Sequence, residues 1–327
     1  MHYHFTFYFP SLTLIMDIDT KVKKSLSPSI VTVGVFDGVH TGHQKVLREL
    51  INEGDIKNYK KIVFTFKNHP LSILNPDDTP TLLTTFEEKV EIISSFSIDQ
   101  LIAVEFDREF SRLSAEDFIR NMLIHQLNMK ELVVGYDASM GRDKKGNLEN
   151  LIECSKRMNY SIRVLPPEYS FDEIISSSLI RNYLLQGNLK KVCLFLGRPF
   201  QLSGYVIRGE GRGKKYGFPT ANLFITPEKV LPLKGVYSVK VFYKEKIYPA
   251  IMNIGNKPTF GRNKLTVEVN IFNFNQSIYG QFLKVEILDL IREERVFSDH
   301  EELYTQIRLD IKKAREITFD SSSKVKN

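Results

Sequence analysis

The segment Thr32–Gln44 reads TVGVFDGVHTGHQ, and its interpretation decides the fold of the first half of the chain. An apolar, β-branched run breaks at Gly38 and Gly42, and two histidines, His40 and His43, stand three residues apart where a helical pattern begins. The plainer reading is a tight strand-to-helix turn with surface histidines. The sharper one is a phosphate cradle, since helix-start N–H groups and the helix dipole converge on an anion at this point of an open α/β sheet.

The surrounding pattern predicts such a sheet. Apolar runs at 29–36 (SIVTVGVF), 61–66 (KIVFTF), 101–106 (LIAVEF), 131–135 (ELVVG) and 161–165 (SIRVL) have strand character. Between them lie helical patterns at 43–53, 86–95, 114–127, 147–158 and 177–187, the first with Val46, Leu47, Leu50 and Ile51 on one face. Strands alternating with helices imply crossover connections and a doubly wound, Rossmann-like parallel α/β sheet.

From Gln201 the pattern changes. Short strands are expected at 201–207, 235–243, 246–254, 265–272 and 281–288, and helical periodicity returns only at 299–317, where Leu303, Ile307, Ile311 and Ala314 align. Hairpin-like spacing predicts a small antiparallel β-barrel with a C-terminal helix. The expected organisation is an N-terminal extension at 1–15 with Met16 as the start, an α/β domain at 16–187, a linker at 188–196, a barrel domain at 197–320 and a disordered tail at 321–327, SSSKVKN.

Composition limits the function classes. With 42% hydrophobic and 26% charged residues the chain is expected to fold and to bury substantial cores. A net charge of +6 with pI near 9.0 comes from scattered lysines and arginines, so anionic small molecules explain it as well as nucleic acid does. No nucleic-acid partner and no membrane are expected, because no apolar run nears the ~20 residues that a membrane span needs. The two cysteines, Cys154 and Cys193, lie far apart and outside any metal-type spacing, pointing to reduced cytosol and a cytoplasmic protein.

A second chemical signal is ISSSLIRNYL, Ile175–Leu184, where Ser176, Ser177, Ser178 and Arg181 open a helix. An ordinary N-cap with a surface arginine accounts for it equally well when it is read alone. Read with the first segment, hydroxyls, helix-start amides and a guanidinium suit a pyrophosphate.

The third signal is RGEGRGKKYGFPTANL, Arg208–Leu223. Glycines interleaved with Arg212, Lys214 and Lys215 suit a loop that covers phosphates, although neither the Walker spacing nor GxGxxG is met, and a flexible hairpin is the plainer reading.

The His-x-Gly-His spacing is similar to the motif of the nucleotidyltransferase superfamily. Together, GVFDGVHTGH and ISSSLIRNYL resemble the FMN adenylyltransferase module of bacterial bifunctional riboflavin kinase/FAD synthetases. TFKNHP (65–70), LLTTFEEK (82–89), FSRLSAEDFI (110–119), VVGYDASMG (133–141) and LGRPF (196–200) follow in that family's order. GFPTAN resembles the PTAN motif of riboflavin kinases, and NIGNKPTF (253–260), TVEVNIF (266–272), IYG (278–280) and IREERVF (291–297) keep the kinase order.

The resemblance implies two ATP-dependent activities, riboflavin to FMN on a flavokinase barrel and FMN to FAD on the α/β domain. It implies His40 and His43 as stabilisers of the α-phosphate, with Gly34, Phe36, Asp37, Gly38 and Gly42 shaping the ATP site. Ser176, Ser177, Ser178 and Arg181 would hold the triphosphate, and His69 and Asp137 would bind flavin. In the barrel it implies Gly209, Gly211, Arg212 and Gly213 over ATP, Thr220 and Asn222 on Mg²⁺, Glu268 as the base for the riboflavin 5′-hydroxyl, and Arg292 and Glu294 beside the isoalloxazine. A lone strand glutamate is usually a solvated side chain, so Glu268 rests on this resemblance.

Three positions depart from the family pattern. DASMG, Asp137–Gly141, stands where DFRFG is usual, Asn68 where proline is common, and Asn270 where histidine is common. The first leaves a second reading open, a monofunctional riboflavin kinase whose α/β domain only binds nucleotide or flavin. A tRNA-synthetase-like reading lacks a KMSKS-like segment and a basic stripe. A monomer or weak homo-oligomer is expected.

Overall fold

A computed structural model of the chain describes residues 16–142, 146–209, 217–259 and 262–323. The expected extension at 1–15, the residues Gly211, Arg212 and Gly213, and the end of the tail at 324–327 lie outside the described residues.

The first compact unit, whose described residues run from Met16 to Ser177, is built on six parallel strands, β1 (Asp17–Asp19), β2 (Ser29–Val33), β3 (Lys60–Phe66), β4 (Gln100–Val104), β5 (Met129–Gly135) and β6 (Ser161–Leu165). They lie in the order β1-β4-β3-β2-β5-β6, and a separate antiparallel pair, β7 (Tyr169–Ser170) and β8 (Glu173–Ile174), follows in the chain. Strand order therefore reverses at β2, whose neighbours β3 and β5 diverge in sequence, and a crevice opens beyond its C-terminal end. The crossover helices are α1 (Thr41–Lys57), α2 (Leu71–Leu74), α3 (Phe86–Ser94), α4 (Ala115–Asp117) and α5 (Leu148–Met158). Residues 118–126 continue from α4 as a π-helix, a wider coil than the α-period of 114–127 predicts.

Strand alternation distributes the apolar residues to two cores. Ile30, Val63 and Leu101 pack with Leu47, Leu50 and Ile93 on one face. Val31, Ile62, Phe64 and Leu132 pack with Phe118, Ile119 and Leu151 on the other. The strand expected over 29–36 ends at Val33, because Phe36, Gly38 and Val39 take φ of 52°, 79° and 39° and turn the chain into α1.

The second unit begins at Ser178. Residues 188–196, expected as a linker, contain α7 (Leu189–Leu196), which follows α6 (Ser177–Leu185). Asn188 caps α7, Gly197 ends it in the left-handed region, and Leu189, Val192, Phe195 and Leu196 form its buried stripe. That stripe packs on β9 (Phe200–Ile207) and β14 (Phe282–Glu293).

With β10 (Ala221–Phe224), β11 (Gly235–Tyr243), β12 (Lys246–Thr259) and β13 (Arg262–Ile271), these strands close a barrel in the order β10-β13-β12-β11-β14-β9. The sequence pattern missed β10, a four-residue strand beginning inside PTAN, whose turn-forming residues mask it. The C-terminal helix α8 (His300–Ser323) packs on β11, β12 and β14 and runs three residues into the expected tail.

Candidate functional site

In the first unit, the turn after β2 is held by a carboxylate. Asp37 Oδ1 accepts from the backbone N–H groups of Leu83 (2.8 Å) and Thr84 (3.1 Å), and the Thr84 hydroxyl accepts from Gly38 N (3.0 Å). Asp37 is thus a brace for the left-handed turn, and its own carbonyl accepts from Ser177 Oγ at 2.9 Å. Two expected site segments, 34–43 and 176–177, therefore meet.

His40 ends that turn and caps α1, its Nδ1 accepting from His43 N at 3.3 Å. The two imidazoles stack with centroids 3.7 Å apart and planes 19° from parallel, and Phe36 meets His43 edge-on at 5.2 Å. Gly42 makes the close stack possible, since a Cβ there would lie 3.2 Å from the His40 ring. A Cβ on Gly34 would lie 3.1 Å from the Phe36 ring.

Burial, the neighbouring His40 and the Lys89 ammonium together hold the His43 imidazole well below its ordinary pKa. Its Nδ1 is buried without a hydrogen-bond partner. A stacked imidazole pair beside a helix N-terminus can offer ring N–H donors to a phosphoryl oxygen.

His69 lies in the cleft that Asp37, Lys67, Thr84, Phe86 and Lys89 also line. Its Nδ1 accepts from Leu71 N at 3.2 Å. Asn68, the departure from proline, braces the same loop, accepting from Phe106 N (2.8 Å) and donating to Phe106 O (2.9 Å). Asp137 is exposed beyond β5, while Ala138 and Met140 pack against the core, so DASMG spends its apolar side chains inward. Ser178 and Arg181 lie on α6 in the second unit.

The barrel carries its candidates on one register row. Ile207, Asn222, Glu268, Asn253, Val236 and Arg292 pair in succession across β9, β10, β13, β12, β11 and β14. Val267 and Val269 are buried on the opposite face, so Glu268 points outward. Thr220 Oγ1 donates to Glu268 Oε2 at 3.3 Å, and Asn270 Nδ2 donates to Pro219 O at 2.7 Å, fixing the approach to β10. Gly209 lies against Asn222, where a Cβ would stand 2.2 Å from Nδ2.

At the far end of the row, Arg292 Nε donates to Asp310 Oδ2 on α8 at 2.9 Å, and its guanidinium lies over the Phe297 ring. Glu294 Oε1 accepts from Asn256 N at 3.0 Å. Arg292 and Glu294 are thus both held by structural partners. Thr220, Asn222 and Glu268 form an all-oxygen group suited to a hard cation, Asn222 through its amide oxygen.

Sequence reasoning passed over Lys89, Thr84 and Asn253. Lys89 sits within LLTTFEEK on an ordinary amphipathic helix, and its only signal was a lysine at the buried phase of that helix.

Family models match both units, FAD synthetase over 22–179 and riboflavin kinase over 196–318. The chain is similar to bifunctional riboflavin kinase/FMN adenylyltransferases, with 39% identity to that of Buchnera aphidicola subsp. Schizaphis graminum, covering 89% of this chain and 94% of the relative. Identity to the Bacillus subtilis protein of the same description is 36%, over 90% and 93% of the two chains. A crystal structure named for a macrolide-efflux protein of Streptococcus pneumoniae superposes with a TM-score of 0.81 at 31% identity, covering 92% of this chain and 99% of that one. Among the described residues, no helix is long and apolar enough to cross a membrane.

Proposed function

The chain belongs to the family of bifunctional riboflavin kinase/FMN adenylyltransferases, and from that premise we propose how its own residues divide the work. The enzyme phosphorylates riboflavin to FMN with ATP and then adenylates FMN with a second ATP, giving FAD and pyrophosphate. With both family models matched, a monofunctional riboflavin kinase whose first domain binds nucleotide or flavin but is only weakly active is not favoured.

In the adenylyltransferase unit, an FMN phosphate oxygen attacks the α-phosphorus of ATP and pyrophosphate departs. His40 and His43 donate to the α-phosphoryl oxygens as charge builds on them, and Gly34, Phe36, Asp37, Gly38 and Gly42 hold the turn that aims them. Ser176 and Ser177, with Ser178 and Arg181 further along α6, hold the departing phosphates. His69 and Asp137 orient the flavin substrate. The observation that carries this reading is the stacked His40–His43 pair at the crevice beyond β2, with the His43 imidazole held well below its ordinary pKa by burial.

In the kinase unit, the riboflavin 5′-hydroxyl attacks the γ-phosphorus of ATP. Glu268 accepts the hydroxyl proton, and Gly209, Gly211, Arg212 and Gly213 cover the nucleotide. Thr220 and Asn222 would hold Mg²⁺, which when bound neutralises phosphate charge, and the Thr220–Glu268 contact supports that grouping. Arg292 and Glu294 border the flavin ring. The enzyme works in the cytoplasm as a monomer or weak homo-oligomer without nucleic acid, a setting consistent with two free cysteines.

The division is tested with single substitutions. Glu268→Gln is expected to leave riboflavin unconverted but still turn FMN into FAD, while His43→Ala converts riboflavin only to FMN. Loss of both activities from either substitution in a folded protein contradicts the assignment.

A further inference from the structure

Lys89 is a buried lysine whose ammonium is held by neutral groups. Its Nζ donates to Phe66 O (2.6 Å), Val35 O (3.1 Å) and Thr65 Oγ1 (3.3 Å), so all three ammonium hydrogens are engaged at the C-terminal ends of β2 and β3. The residue is 6% exposed. Burying a charge without an ion-pair partner is costly, and a methionine or leucine fills such a helix position at no electrostatic cost.

We infer that Lys89 is a positioning residue of adenylyl transfer, clamping the two strand ends beside the His40–His43 turn and supplying a fixed positive potential for the incoming phosphates. The inference rests on the reading of that turn as the phosphate site.

The charged and titratable groups around it are consistent with this role. Asp37 on the turn is the opposing charge, but its Oδ1 already accepts from Leu83 and Thr84. His40 and His43 approach from α1, Lys67 and His69 border the cleft after β3, and Glu88 on the same helix is engaged by Thr85 N at 3.0 Å. The cleft beside Lys89 thus sets two ammonium groups, Lys67 and Lys89, against the single Asp37 carboxylate at a topological switch point, where preorganised charge is most effective on a transferring phosphoryl group. Burial pushes the Lys89 ammonium down to about 8 while Asp37 opposes the shift, and the same ammonium lowers His43.

The experiment compares full-length wild type, Lys89→Met and His43→Ala, measuring kcat/KM for ATP in FAD formation from FMN between pH 6.5 and 9.5 and the riboflavin kinase rate alongside. Lys89→Met should lose ~10-fold or more at pH 7 and should lack the decline that wild type shows above pH about 8. Kinase activity should stay within about twofold, as expected when the two sites act separately. Parallel pH profiles for wild type and Lys89→Met would overturn the inference even if the rate dropped, because a purely structural lysine lowers activity without moving the profile. If His43→Ala retains FAD formation, the phosphate-site reading itself fails. Should Lys89→Met not fold, Lys89→Gln, which keeps an N–H donor for Phe66 O without charge, must show the same missing alkaline decline.

Discussion

Thr220 Oγ1 donates to Glu268 Oε2 at 3.3 Å, tying the residue just before β10 to the centre of β13. The bond gives an orientation to a carboxylate that lies in register between Asn222 on β10 and Asn253 on β12. Replacing Thr220 with valine keeps the shape and removes the donor, so the riboflavin kinase kcat should fall by ~10²-fold while FMN adenylation is unchanged. Steady-state rates of the two half-reactions measured on one preparation provide the check; an unaltered kinase rate would mean that the contact does not orient the base.

Gly209 has no room for a side chain. A Cβ there would stand 2.2 Å from Asn222 Nδ2, and Asn222 cannot retreat far because β10 is paired on both sides. Gly209→Ala should therefore displace the asparagine amide and lower kinase activity by ~10- to 100-fold, the scale expected from an ångström-sized misplacement. Circular dichroism and thermal unfolding should remain close to wild type.

The Arg292–Asp310 pair fastens α8 to the barrel. Asp310 is 3% exposed and the Arg292 side chain 20%, so removing the carboxylate strands a partly buried guanidinium. Asp310→Ala should cost ~3 kcal/mol of barrel stability, the lower end for a broken buried pair, and should raise the KM for riboflavin by loosening Arg292. Denaturant unfolding with kinase kinetics tests both parts.

His43 makes the first unit sensitive to acid. The unfolded chain takes up a proton near the ordinary histidine value of about 6.5, whereas the folded unit resists protonation until a lower pH because the ring is buried beside His40 and Lys89. Between those values the unfolded state binds more protons, so stability is full above about pH 6.5 and declines as the pH falls below it. Relative to His43→Gln, wild type should lose about 1 kcal/mol more between pH 7.5 and 5.5. Equal losses in the two proteins would show that His43 titrates normally.

Much of this arrangement was legible in the residues. Periodicity located β2 to β6 of the six-stranded parallel sheet and missed the three-residue β1, and the GVFDGVHTGH turn was placed at the correct end of β2 because an apolar run, glycines and a helix start occur in that order. Elements fixed by tertiary context were not legible. β10 is too short and too rich in turn formers to signal a strand, and it forms because β9 and β13 flank it. α7 did carry a signal, an Asn188 cap, a four-residue apolar stripe and Gly197, that a boundary drawn between two glycines obscured. The role of Asp37 as a brace and the burial of Lys89 depend on contacts with residues more than twenty positions away, which spacing within a motif does not report.

The central claim is that one chain performs both steps, each on its own unit. Incubating the purified protein with riboflavin, ATP and Mg²⁺ and separating the flavins by chromatography over time tests it most directly. FMN should rise first and then give way to FAD, with pyrophosphate released in step with FAD. FMN as the sole product, at saturating ATP and with FMN also unconverted when supplied directly, would contradict the account by showing that the His40–His43 crevice performs no adenylyl transfer.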